Sequence, residues 1–242
     1  MGPESYFVPI LTLAMRVLYG RCANIDTDYE RTRAMTNTVE EREETALRVW
    51  RPHRQIAFGR RDARSDSYGR AREAARERGY AVREREVGGR AVAYTGRTVA
   101  VAVATPVEDA RGAIQARYDD ASDRLRDALA RLGVDATTGE PPDAFCPGTH
   151  SLQSGGKIVG IAQRVHRHVA VVAAIVLITD HDAIQRVLDP VYDALGVPFD
   201  PDSVGSVARA GGTTDPEAVI GAITDAFAGD RDVTVEHVGA GE

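Results

Sequence analysis

Ser154-Gly155-Gly156-Lys157-Ile158-Val159-Gly160-Ile161-Ala162-Gln163 is the stretch around which this chain is organised. Lys157 is its only lysine among 30 Lys and Arg residues, so a strong bias toward arginine is resisted at one position. Arginine is a planar fork, whereas lysine is a compact point charge on a flexible stem that fits between two oxygens. Gly155-Gly156 supply a turn, and the small apolar run that follows suits a strand entering a core. A cation at the mouth of a buried strand, beside backbone that allows close approach, is a candidate anion site.

The rest of the chain sets bounds on that idea. Its 242 residues are 43% hydrophobic and 27% charged, ordinary for a globular chain able to bury a sizeable core. A formal net charge of −6 argues against a nucleic-acid binder. The two cysteines, Cys22 and Cys146, form no CxxC, so neither a disulfide framework nor a zinc ribbon is expected, and a reducing cytoplasm is the simple location. The apolar run near the start is interrupted by Pro9, lacks a basic leader and is too short to span a membrane. Residues 1–14 are expected to be a disordered tail, and 15–242 a single domain without a C-terminal accessory domain.

Outward from the central stretch, helical periodicity predicts helices over 24–45 (capped by Asp26 or Asp28), 67–78, 117–132 and 216–228. Two short helices are expected over 182–188 and 190–195, divided at Pro190. Strands are expected over 15–19, 46–50, 55–59, 80–85, 98–105 and 169–179, with an edge strand at 233–235. The alternation Thr-Val-Ala-Val-Ala-Val-Ala-Thr at 98–105 is the clearest strand signal. Strand pairs at 46–58, 91–105 and 157–179 read as hairpins. The fold class is therefore α+β with a mainly antiparallel sheet and helices packed outside it.

Three stretches bring glycines and cations to strand ends: 50–59, 83–96 and 154–163. Glycines let backbone N–H groups approach a phosphate. Arg85 and Arg90 are placed to hold an anion, and Lys157 to reach a reacting atom.

These stretches resemble the lipoate–protein ligase family, whose catalytic domain is shared with biotin–protein ligases. Leu47-Arg48-Val49-Trp50-Arg51-Pro52 with Phe58-Gly59-Arg60 is similar to its first strand pair. Arg85-Glu86-Val87-Gly88-Gly89-Arg90-Ala91-Val92 is similar to its glycine loop, and Gly156-Lys157-Ile158-Val159-Gly160-Ile161-Ala162-Gln163 to the segment carrying its essential lysine. The resemblance spans roughly residues 15 to 228 and implies a seven-stranded, largely antiparallel sheet.

It further implies activation of lipoate or octanoate by ATP with Mg2+ to an acyl adenylate. The acyl group then passes to a lysine of a lipoyl carrier domain, on a 2-oxoacid dehydrogenase E2 or a glycine-cleavage H-type protein. Lys157 is the implied catalytic residue, its replacement by Ala expected to abolish transfer with the fold intact. Arg85, Gly88, Gly89, Arg90, Ala91, Gly156, Gly160 and Ala162 are the implied substrate and adenylate contacts. The Val- and Ala-rich strands would wall an acyl tunnel, and a separate accessory subunit would complete the site. No metal ligands are expected; His166 and His168 read as a solvated pair at a strand start.

The chain departs from the family pattern at Glu84, at Val87 for Ser, at Arg90 for a third Gly, and at Ala173-Ala174-Ile175 for His-Gly-Ser. Two alternatives stay open. One is octanoyl transfer from acyl carrier protein, with Cys146 as nucleophile beside Lys157. Spacing alone rarely identifies a nucleophile, so Cys146 as a small apolar residue packed in a loop is the favoured alternative. The other is a non-catalytic module that binds acyl groups or carrier domains.

Overall fold

A computed structural model of the chain describes residues 14–85, 88–108 and 113–239. Residues 1–13 of the tail expected at 1–14, and Glu86 and Val87 of the glycine loop, lie outside them.

The chain opens with strand β1 (Met15–Tyr19), helix α1 (Ile25–Arg42), β2 (Thr45–Trp50) and β3 (Gln55–Phe58). A short α2 (Arg60–Ala63) leads to α3 (Tyr68–Glu77), β4 (Ala81–Glu84), β5 (Val92–Tyr94), β6 (Thr98–Pro106) and α4 (Ile114–Arg131). Then come β7 (Thr137–Thr138), β8 (Leu152–Gln153), β9 (Lys157–His166), β10 (Val169–Leu177), α5 (His181–Leu195), α6 (Pro216–Ala228) and β11 (Val233–His237).

The fold is α+β, but its strands form two sheets and the pairing is mixed. An eight-stranded sheet runs β11-β1-β2-β6-β10-β9-β8-β7, and a three-stranded sheet runs β4-β3-β5. β1 is parallel to both β2 and β11, and β3 is parallel to β4. Six of the nine strand pairings among the described residues are antiparallel, so the sheet is mainly antiparallel as expected, while the expectation of one seven-stranded sheet is corrected to sheets of eight and three strands. The 18-residue α1 is the crossover that a parallel β1–β2 pair requires. Two expected hairpins also dissolve. β2 pairs with β1 and β6 while β3 pairs with β4 and β5, so the chain changes sheet at Arg51-Pro52-His53. β5 and β6 likewise belong to different sheets. Only the third hairpin forms, with β9 and β10 registered from His166↔Val169 to Val159↔Val176.

Helix α1 is capped by Asn24 in a reciprocal capping box with Thr27, not by either aspartate. Asp28 turns inward and pairs with the fully buried Arg48 at 2.5 Å. Helix α5 runs unbroken through Pro190 instead of forming two helices. Proline cannot supply the N–H that Arg186 C=O expects four residues earlier. Arg78 Nε donates to that carbonyl at 3.2 Å in its place.

Alternation along the strands divides the core by face. Val99 and Val101 of β6 join Leu125, Leu129 and Phe227 beneath α4 and α6. Ala102 and Ala104 point to the other face, toward Met35 and Val39 of α1. Residues of the small sheet pack with α3 and α5.

Candidate functional site

The small residues of the α1 face leave a cavity of about 470 Å³, within the usual range for a small-molecule site. Strand register explains the space. Ala102, Ala173 and Ala162 form one row across β6, β10 and β9; Ala100, Ile175 and Gly160 form the next. Apart from Ile175, those rows provide a floor of short side chains, and Tyr29, Thr32 and Thr36 of α1 face it across the cavity.

The polar end is assembled from both sheets. Backbone pairing of Arg85 N–H with Phe58 C=O at 2.9 Å extends β4 and aims Arg85 at the cavity. The turn at Gly88-Gly89-Arg90 folds back over Gly59. A Cβ on Gly59 would sit 1.8 Å from Gly89 C=O, so only glycine allows this approach. Gly89 has φ +93°, and a Cβ there would meet Cys146 Sγ at 2.5 Å and Arg85 Nη2 at 2.6 Å. Arg90 is held by the fully buried Asp62 at 2.8 Å. Burial raises the Asp62 carboxyl above its ordinary pKa, and Arg90 opposes that rise.

Cys146 meets this loop from the large-sheet side. Its Sγ accepts from Arg85 Nη2 at 3.1 Å and from Arg90 N–H at 3.2 Å, and the residue lines the cavity. Arg85 Nη2 also donates to Arg90 C=O at 2.8 Å. Burial works against the charge on Arg85, but Cys146 and Tyr94 more than offset it and hold its pKa above the ordinary value. Cys146 itself has φ +44°, a left-handed conformation that costs a non-glycine residue about 1–2 kcal/mol. Its neighbours must therefore hold it there.

Lys157 is one of those neighbours. It is fully buried at the start of β9. Its Nζ donates to Glu140 Oε1 at 2.8 Å and Oε2 at 3.1 Å, and to the carbonyls of Phe145 at 2.9 Å and Cys146 at 2.8 Å. Burial pulls its pKa below the ordinary lysine value, while Cys146 and Glu140 pull it back up. The ammonium thus organises the 140–146 loop, and the cavity is lined by Cys146 and not by Lys157.

The chain's other candidates divide. Gly160 and Ala162 line the cavity, with Gly160 beside the Lys157 side chain. Ala91 is buried at the entry to β5, and Gly88 has open space beside its Cα. Gly156 points elsewhere: a Cβ on it would meet Gly205 N at 2.7 Å, so it serves close packing of two backbones. His150 stacks on Tyr118, with ring centroids 4.1 Å apart. His166 ends β9 and His168 lies in the turn before β10, so the pair flanks a hairpin and does not open a strand. Among the described residues, no three His, Cys, Asp or Glu side chains are grouped to hold a metal, and no helix is long and apolar enough to cross a membrane.

The family model for the lipoyl protein ligase A/B catalytic domain matches residues 25–228. The chain belongs to that family. Within the lipoyl ligase family it is similar to the Geobacillus kaustophilus octanoyl-[GcvH]:protein N-octanoyltransferase, at 28% identity over 122 residues. That match covers 50% of this chain and 43% of the octanoyltransferase. In shape the chain is similar to lipoate-protein ligase A crystallised with ATP, at TM-score 0.74 and 18% identity over 94% of this chain and 90% of that one. It is also similar to a putative lipoate protein ligase from T. acidophilum with bound lipoic acid, at TM-score 0.71 and 18% identity over the same shares.

Sequence reasoning missed Glu140, Asp62 and Tyr192. Glu140 and Asp62 are lone carboxylates whose cationic partners, Lys157 and Arg90, are distant in sequence, so no local spacing marks them. Tyr192 sits on the apolar face of α5 and reads as core.

Proposed function

We propose that this protein transfers a medium-chain acyl group, octanoyl or lipoyl, between carrier proteins through a thioester on Cys146. The observation that carries this is the position of the Cys146 sulfur, facing the apolar cavity between the Arg85 guanidinium and the Arg90 amide. Those two donors would fix the sulfur where an acyl carbonyl in the cavity can meet it. The cavity would take the acyl chain along its alanine floor, with the carbonyl at the polar end.

In the first step the Cys146 thiolate attacks the acyl carbonyl of an octanoylated acyl carrier protein. The new C–S bond forms, the carrier's C–S bond breaks, and the carrier thiolate leaves and takes up a proton. In the second step a lysine amine of a lipoyl domain attacks the Cys146 thioester. An amide forms, the amine loses a proton to solvent, and the Cys146 thiolate is released. Arg85 and the backbone of the 88–90 turn would meet the negative charge that develops. Lys157 and Glu140 would hold the nucleophile's loop. The acceptor would be an E2 or H-type lipoyl carrier; the relative's name, with GcvH in it, supports that class.

The second reading is the ATP-dependent ligase. Likeness to lipoate-protein ligase A with ATP favours it. Arg85, Gly88, Gly89 and Arg90 would then meet the phosphates of ATP, entering with Mg2+, and a separate accessory subunit would close the site. Against it, Arg90 is committed to Asp62, and Lys157 is surrounded by Glu140 and two carbonyls.

One experiment separates them. The protein is incubated with octanoylated acyl carrier protein, quenched in acid and weighed intact, and ATP–pyrophosphate exchange is measured with lipoate. Acyl adduct on the wild type, none on Cys146→Ser, and no exchange is the expected pattern. Exchange with full activity of Cys146→Ser would replace the thioester reading with the ligase.

A further inference from the structure

We propose that Tyr192 is a positioning residue for Cys146, its hydroxyl fixing the cysteine's amide so that the thiol stays between its two donors. Tyr192 lies on α5, fully buried, with its ring against Phe199 at a centroid separation of 5.1 Å. Its hydroxyl accepts from Cys146 N–H at 2.6 Å and donates to Ala91 C=O at 2.9 Å. A phenol has one proton and two acceptor sites, so both bonds form at once with the ring neutral. Burial, with Cys146 adding to it, raises the Tyr192 pKa and keeps that proton in place.

The connection matters because of what each end carries. Ala91 follows Arg90, whose amide donates to the sulfur. One hydroxyl therefore ties the residue bearing the thiol to the strand entry bearing its donor. It does so across 46 residues on one side and 101 on the other. Cys146 is left-handed, and its two backbone polar groups are held separately: the N–H by Tyr192, the carbonyl by Lys157. Removing the hydroxyl leaves the Cys146 amide and the Ala91 carbonyl without this partner in a buried place, which favours a different backbone conformation. The sulfur would then leave Arg85 Nη2 and the Arg90 amide, and its reaction with an electrophile would slow. The consequence for turnover rests on the thioester reading; the consequence for the thiol does not.

The test is Tyr192→Phe, which keeps the ring. Alkylation of Cys146 by iodoacetamide is followed at neutral pH, with peptides resolved by mass so that Cys22 is counted apart. The rate at Cys146 is expected to fall about tenfold. With an octanoylated carrier, kcat falls while KM stays. Phe199→Leu alters packing on the same ring and should leave the Cys146 rate where it is. An unchanged rate in Tyr192→Phe, or an equal fall in Phe199→Leu, overturns the proposal. Should Tyr192→Phe fail to fold, amide exchange in wild-type protein labelled with ¹⁵N-cysteine decides. Protection of the Cys146 amide supports the link, and exchange at the rate of an open loop refutes it. Transfer by Cys146→Ser would remove the thioester reading yet leave the slowed alkylation in Tyr192→Phe standing, so the two failures are distinguishable.

Discussion

Lys157 carries the polar end of the site by holding a loop. Its buried ammonium neutralises Glu140 and ties down two consecutive carbonyls beside Cys146. Removing one partner of such a buried pair typically costs about 3–5 kcal/mol, because the other charge is left uncompensated. Lys157→Met is therefore expected to lower stability by roughly that amount and to abolish transfer, with Lys157→Met/Glu140→Gln recovering part of the stability and none of the activity. Urea unfolding with a transfer assay on the three proteins checks this. The expectation that Lys157→Ala abolishes transfer with the fold intact is checked by the same two measurements. The oddity of a single lysine was legible, as were its flanking glycines. Its partners were not, because nothing local in Thr138–Phe145 distinguishes a carboxylate that will be buried from one in a wet turn.

At the level of strands and helices, periodicity decides most of the outcome. The valine and alanine alternation of β6 announces a strand, and the structure adds why the alanines matter: they face the cavity. Ala173, at the centre of the alanine row, should set how long an acyl chain fits. Ala173→Leu is expected to cut transfer of octanoyl at least tenfold relative to butanoyl, measured with carriers loaded with each; equal losses for both would argue against this floor as the chain's wall. Helix α5 shows where local rules mislead. Pro190 reads as a break, yet Arg78 takes the carbonyl that proline leaves free. Arg78→Ala should cost about 0.5–1 kcal/mol, a hydrogen bond at a partly exposed site. In a Pro190→Ala background, where the helix supplies its own N–H, much of that cost should vanish in a thermal-unfolding double-mutant cycle. Connection length misled similarly. The short links at 51–54 and 95–97 look like hairpin turns, but each hands the chain from one sheet to the other.

For the molecule as a whole, the junction of two sheets creates the site: the small sheet brings Arg85 and Arg90, the large one Cys146 and Lys157. Sequence order alone places the glycine loop and the lysine segment far apart, and a family pattern, not periodicity, suggested that they meet. Their meeting has a global cost that pH reveals. Because burial depresses the Lys157 pKa, the folded protein releases that proton before the unfolded chain does. Between the depressed value and the ordinary 10.5, the unfolded state binds more protons, so stability contributed by this group rises with pH. Wild type minus Lys157→Met/Glu140→Gln, compared by urea unfolding at a series of alkaline pH values, should show that positive slope. A flat or falling difference would contradict it.

An enzyme that hands activated acyl groups to lysine side chains faces a hazard from its own amines. This chain carries one ε-amine in 242 residues, and that one is sealed from solvent with each proton already donated. Under the thioester reading, arginine at the other cationic positions leaves those side chains inert toward the labile intermediate, so no other lysine of these 242 residues competes with the incoming carrier's lysine.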